Sequence, residues 1–140
     1  MQVRDVMTQR TDYLNADATI REVALRMRDT NSGFEPLVDG DKIVATLTDR
    51  DVAARGVGGD KEPDHKASSI ATHEVLYTYE DSDVIDVLKN MQEQHVQRLV
   101  VLNNANDKRF SGVVTVGDIA NHCDDDETAR QIVNCSKSYH

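Results

Sequence analysis

The chain has 140 residues, of which 39% are hydrophobic and 4% aromatic, and a formal net charge of −9. That length suits one compact domain or two small halves sharing a core, and the core must be built from Val, Ile, Leu, Met and Ala. The acidity argues against a basic nucleic-acid footprint and against an anionic membrane surface, and no apolar stretch is long enough to span a bilayer.

In chain order, Met1-Gln2-Val3-Arg4-Asp5 lacks the apolar core of a signal peptide. A cytoplasmic location is expected, with Cys123 and Cys135 as reduced thiols. Tyr13-Leu14 forms a candidate short strand. Thr19-Ile20-Arg21-Glu22 is a helix start of capping-box type, with Thr at the N-cap and Glu at N3. Ile20, Val23, Ala24 and Met27 then share one helical face, and Asn31-Ser32-Gly33 ends the helix. Pro36-Leu37-Val38, a turn at Asp39-Gly40-Asp41-Lys42, and the run from Ile43 to Leu47 give strand, hairpin, strand. A short helix is predicted over 49–57. The turn-rich stretch Gly56-Val57-Gly58-Gly59-Asp60-Lys61-Glu62-Pro63-Asp64 separates two halves and lacks the Gly-Lys-Ser/Thr ending of a P-loop.

The second half repeats the first. Asp17 recurs as Asp81, Thr8 as Thr72, Ile20 as Val84, Val23 as Val87 and Met27 as Met91, all at one spacing. Val75-Leu76-Tyr77 is the matching strand, and Asp83 takes the capping position. Leu99-Val100-Val101-Leu102 and the run from Phe110 to Val114 form the matching hairpin. Its loop, 103–109, absorbs the residues that lengthen the spacing, as a surface turn does at little cost. A short helix over 116–122 closes the repeat. Each half is therefore β-α-β-β-α, which gives a mixed α+β fold with repeats over 1–64 and 65–140. Neither half alone buries much surface, which favours intimate packing and a homodimer. The tail opens with acidic residues, and Ala129, Ile132, Val133 and Ser136 can form a helical face against a partner chain.

The chemistry concentrates in Thr48-Asp49-Arg50-Asp51-Val52-Ala53 and Thr115-Val116-Gly117-Asp118-Ile119-Ala120, each just past an apolar run. An ionised carboxylate accepts hydrogen bonds from both adjacent hydroxyls of a ribose, and a neighbouring Thr serves a hydroxyl or phosphate. A T-x-x-D segment before an apolar helix face is equally a capping box that needs no ligand. Both readings stand. Arg50, and Arg98 with His95 before it, are the candidate phosphate cations; each is otherwise a solvated charge, and His95 fits a helix end.

This order, with Asp5-Val6-Met7-Thr8 in front and T-x-x-D closing each half, resembles a pair of CBS domains, the Bateman module, over nearly the whole chain. It is most similar to stand-alone bacterial CBS pairs, including the hypoxic-response type. The resemblance implies two motifs about a pseudo-twofold axis with their sheets in contact. It also implies clefts between the motifs for AMP, ADP or ATP, and in some members NAD or S-adenosylmethionine. Asp51 and Asp118 would then hold ribose, with Thr48 and Thr115 close to ribose or phosphate. No cofactor is required beyond that nucleotide ligand, and the partner is an effector protein of unknown identity. The second half departs from the family by lacking the Pro found at Pro36, so the two clefts need not be equivalent. No nucleophile motif or catalytic carboxylate pair is recognisable. His122, Cys123, Cys135 and His140 match no compact zinc spacing, which leaves a zinc- or thiol-dependent stress protein as the lesser alternative. A ligand-free interaction module is the main one.

Overall fold

The computed structural model describes residues 1–138, and it divides into two compact units. The contiguous unit is Asp12–Val75; the composite unit joins Met1–Thr11 to the chain from Leu76 on. His140 and Tyr139 lie outside the described residues.

The contiguous unit carries β2 (Leu14–Asn15), α1 (Ile20–Thr30), β3 (Phe34–Asp39), β4 (Lys42–Thr48) and α2 (Asp49–Asp51), which runs on as a π-helical segment, Val52–Val57. The composite unit carries β1 (Thr8–Gln9), β5 (Tyr77–Tyr79), α3 (Val84–Gln94), β6 (Arg98–Leu102), β7 (Phe110–Thr115), α4 (Val116–Ala120) and α5 (Asp126–Ser138). The β-α-β-β-α order expected of each half is present in both. The two strands placed at Tyr13-Leu14 and Val75-Leu76-Tyr77 sit slightly further along the chain than their apolar residues suggest.

Local chemistry accounts for the helix limits. The Thr19 hydroxyl accepts from Glu22 N–H at 3.1 Å, and Asp83 Oδ1 accepts from Ile85 N–H at 2.8 Å. Both helices end at equivalent positions on a left-handed residue, Asn31 at φ 54° and His95 at φ 58°. Val23 on α1, and Val84, Val87, Leu88 and Met91 on α3, are the buried stripes, packed on Leu37, Ala45 and Leu47 in one unit and on Leu99, Val101 and Val114 in the other. Burying one such side chain contributes roughly 1.5–3 kcal/mol.

The sheets are β2-β3-β4 and β1-β7-β6-β5. Their composition shows an exchange that the repeat pattern does not announce. The N-terminal segment, a 3₁₀ turn at Val3–Asp5 followed by β1, adds to the second repeat's sheet, with Thr8 opposite Val113. The matching segment, a 3₁₀ turn at Ala67–Ser69, packs with the first repeat, where Thr72 and Thr46 exchange both backbone bonds at 2.9 Å. Gly112 permits the approach of β1 to β7: a Cβ there would meet the Thr8 carbonyl oxygen at 2.2 Å.

Pro36 lies in the central strand β3, where a missing N–H is normally costly. It is tolerated because β2 pairs only with Leu37 and Val38. At the equivalent place in the second repeat, Val100 N–H donates to the Leu76 carbonyl at 3.1 Å. The missing Pro thus becomes an extra ladder bond.

In α5, Ile132 packs against the composite unit's core and Cys135 is buried with its Sγ 3.3 Å from the Leu88 carbonyl, while Ala129, Val133 and Ser136 face outward. The expected single face of Ala129, Ile132, Val133 and Ser136 is therefore split: Ile132 belongs to the inner side.

Candidate functional site

Each T-x-x-D segment stands where a strand delivers the chain into a helix, so backbone direction and first-turn N–H groups converge on the same two side chains. In the contiguous unit, Thr48 N–H donates to Asp51 Oδ2 at 2.9 Å and Asp51 N–H donates to Thr48 Oγ1 at 3.2 Å. In the composite unit, Thr115 N–H donates to Asp118 Oδ2 at 3.0 Å and Asp118 N–H to Thr115 Oγ1 at 3.0 Å. Both segments are complete capping boxes.

The caps engage one carboxylate oxygen each. Asp51 Oδ1 faces the Arg55 guanidinium, with Nε at 3.8 Å, and the Asp51 side chain is 16% exposed. Asp118 Oδ1 accepts from the Thr8 hydroxyl at a long 3.4 Å. Neither contact is a short, saturating bond. The Thr hydroxyls are likewise half used: each oxygen accepts from a backbone N–H and keeps its own O–H to donate. Each cap therefore engages Oδ2 and leaves Oδ1 off the backbone.

The surroundings of the two sites differ in kind. Arg98 lies opposite Thr115 in the β6–β7 register, which brings it to the second segment. Phe34 holds the same place opposite Thr48. On the helix side the pattern reverses. Arg55 follows Asp51 by one turn and also donates through Nη1 to the Ile70 carbonyl at 3.4 Å. His122 holds the equivalent place after Asp118, its Nδ1 3.0 Å from the Asp118 carbonyl. One site therefore has its arginine on the helix and the other on the strand.

Of the residues singled out by sequence, Thr48 bonds with Asp51 and Thr115 with Asp118, while Arg98 lies opposite Thr115 in the strand register. Arg50 is exposed, and its backbone N–H goes to Asp49 Oδ1 at 2.9 Å. The cation beside Asp51 is Arg55, not the Arg50 expected from sequence. Its signal was the four-residue spacing from an acidic residue on one helical face. Thr8 was missed as a contact of Asp118 because nothing local joins residues so far apart in the chain.

Cys123 is half-exposed, and Cys135 is buried, which raises its thiol pKa. Among the described residues no group of three or more His, Cys, Asp or Glu is placed to hold a metal ion. Nor is any described helix long and apolar enough to cross a membrane.

A family model described as "CBS domain" matches residues 3–58 and 67–125. The uncharacterized protein YlbB of Bacillus subtilis is 32% identical over 120 residues, 84% of this chain and 79% of its own length. Hypoxic response protein 1 of Mycobacterium tuberculosis is 29% identical, over 85% of this chain and 82% of its own. A crystal structure of hypoxic response protein I with two coordinated zinc ions superposes with a TM-score of 0.78 at 28% identity, covering 89% of this chain and all of that one. A CBS domain protein of Pyrobaculum aerophilum, complexed with AMP, shares the fold at a TM-score of 0.79 and 21% identity, over 95% of this chain and 98% of its own.

Proposed function

The chain belongs to the CBS-domain family, and from that premise we propose that it is a non-catalytic, cytoplasmic regulatory module that binds an adenine nucleotide at its T-x-x-D segments and works as a homodimer. One observation carries the proposal: each capping aspartate keeps Oδ1 off the backbone, beside a hydroxyl or a guanidinium. In this reading Asp51 and Asp118 accept the vicinal hydroxyls of ribose, and each such charge-assisted bond contributes roughly 1.5–3 kcal/mol. Thr48 and Thr115 donate their remaining O–H to ribose or phosphate. Arg55 in one site and Arg98 in the other meet the phosphate, with Arg50 near the first. The AMP-bound relative makes nucleotides the ligand class to test first.

The nucleotide would act by stabilising one arrangement of the protein over another, to the extent of its differential affinity for the two. Thermal shift with AMP, ATP, NAD and S-adenosylmethionine tests the reading. A ligand at about 100 times its dissociation constant stabilises by ~2.7 kcal/mol, which raises Tm by roughly 5–10 °C at this size. A flat response to all four at millimolar concentration sinks it. That result would favour a ligand-free interaction module, a reading supported by the completeness of both caps without any ligand.

A further inference from the structure

The two T-x-x-D segments align at the spacing that takes Thr48 to Thr115 and Asp51 to Asp118. At that spacing Arg50 becomes Gly117 and Arg55 becomes His122. The composite unit thus lacks both helix-side arginines of the contiguous unit, and His122 stands in the place of the one that reaches Asp51. Histidine Nε2 and arginine Nε lie equally many bonds from Cα. The imidazole therefore has the reach of the Arg55 nitrogen that lies 3.8 Å from Asp51 Oδ1.

The ring is oriented but not used up. His122 is exposed, and its Nδ1 lies 3.0 Å from the Asp118 carbonyl oxygen. A carbonyl oxygen only accepts, so Nδ1 carries the proton of the neutral ring. That bond alone would make His122 a cap for the short helix α4. It leaves Nε2 over, with no contact among the described residues. In the neutral imidazole Nε2 is a lone pair, which repels an anion. In the imidazolium it is a charged N–H donor, which a phosphate accepts. Arg55 offers a charged donor at every pH, and His122 offers one only when protonated.

The charges around His122 are otherwise fixed across the range in which an imidazole titrates. Asp118 is on its own helix, and α4 packs on β7 and α5. Arg98 lies opposite Thr115 on the β6–β7 ladder, and Cys123, Asp124, Asp125, Asp126 and Glu127 lead into α5. Asp125 accepts from Thr128 N–H at 3.3 Å, and Glu127 accepts from Arg130. Carboxylates and guanidinium groups keep their charge between about pH 5.5 and 7.5. A change in phosphate affinity over that window therefore belongs to the imidazole or to the phosphate itself.

We propose that His122 is the helix-side phosphate ligand of the composite unit, the counterpart of Arg55, and that protonation of its ring sets how strongly this site holds a nucleotide monophosphate. The proposal rests on the nucleotide reading above and adds the residue by which the two sites differ in their response to pH.

AMP titrated into Asp51→Asn protein, in which the contiguous unit's site is weakened, reads the composite site. EDTA in the buffer keeps metal ions from the imidazole. At about pH 5.5 this protein is expected to bind AMP about tenfold or more tighter than the same protein carrying His122→Gln, and at about pH 7.5 the two converge. His122→Arg keeps the tight binding at both pH values. The phosphate of AMP titrates in the same window, but equally for all three proteins, so their ratios isolate His122. His122 is exposed, and melting of the ligand-free proteins checks that its variants fold. A ratio that does not change with pH, or a His122→Arg protein that binds no better than His122→Gln at the higher pH, overturns the role of His122 while the nucleotide reading stands. Asp51→Asn protein that binds no AMP, beside wild type that does, overturns it too, because the composite site is then empty. Wild type that binds no AMP at either pH overturns both.

Discussion

Replacing both aspartates with asparagine separates the cap from the proposed ribose contact. Changing Asp51 and Asp118 together prevents one site from masking the other. In Asp51→Asn the amide oxygen still accepts from Thr48 N–H, now held at 2.9 Å, so the cap survives. The amide NH₂ replaces Oδ1, and a donor then faces the ribose hydroxyl. At least one charge-assisted bond is lost, roughly 1.5–3 kcal/mol per site, or about 10- to 150-fold in Kd. The paired alanine variants lose the cap as well. Two caps at about 1 kcal/mol each lower Tm by roughly 4–8 °C. The Arg55–Asp51 pair adds little to either figure, because Arg55 is 58% exposed. Titration calorimetry with AMP and melting of the ligand-free protein read the two effects independently. The reasoning is refuted if the asparagine pair binds AMP as the wild type does, or if it melts as low as the alanine pair.

Three further outcomes follow from the same geometry. Gly112→Ala puts a Cβ 2.2 Å from the Thr8 carbonyl, so β1 must move; overpacking of this kind costs about 1–3 kcal/mol, and an unchanged melting temperature would show that β1 is not held as described. Hydrogen bonding from Thr128 lowers the Asp125 pKa, and bonding from Arg130 and Gln131 lowers that of Glu127. A depressed folded-state pKa means that their stabilisation is present above the ordinary carboxylate range and is lost as pH falls through the folded value; amide protection in the first turn of α5, taken relative to the intrinsic exchange rate at each pH, should therefore fall below about pH 4, and protection that persists unchanged would contradict this. Iodoacetamide should add once to the native protein, at half-exposed Cys123, and a second time only in denaturant, because Cys135 is 1% exposed and burial keeps its thiol protonated; two native adducts would count against the α5 packing.

The sequence made the long helices legible because their signals are local: Thr19 and Asp83 cap them, and Val23 and Val87 repeat at helical spacing. The hairpins were legible for the same reason, and the duplication located both T-x-x-D segments. Four features were not legible. β1 has two residues, too few for any periodicity, so its transfer to the second repeat's sheet left no trace beyond the matching Thr8 and Thr72. Arg55 was hidden behind the nearer Arg50, since proximity in sequence is not proximity on a helix. The division of labour between Oδ1 and Oδ2 depends on side-chain rotation, which composition does not encode. The outer side of α5 excludes Ile132, which sequence cannot separate from Val133 because the two are equally apolar and only packing tells them apart.

Wild-type protein titrated in parallel with AMP and with its 2′,3′-dideoxy analogue gives the most direct test of whether Oδ1 of Asp51 and of Asp118 receives a sugar. The two ligands share base and phosphate and differ only in the hydroxyls assigned to Asp51 and Asp118. Saturable AMP binding with the analogue at least about tenfold weaker is the expected result. Equal affinity for the two, or no binding of either at millimolar concentration, would contradict it.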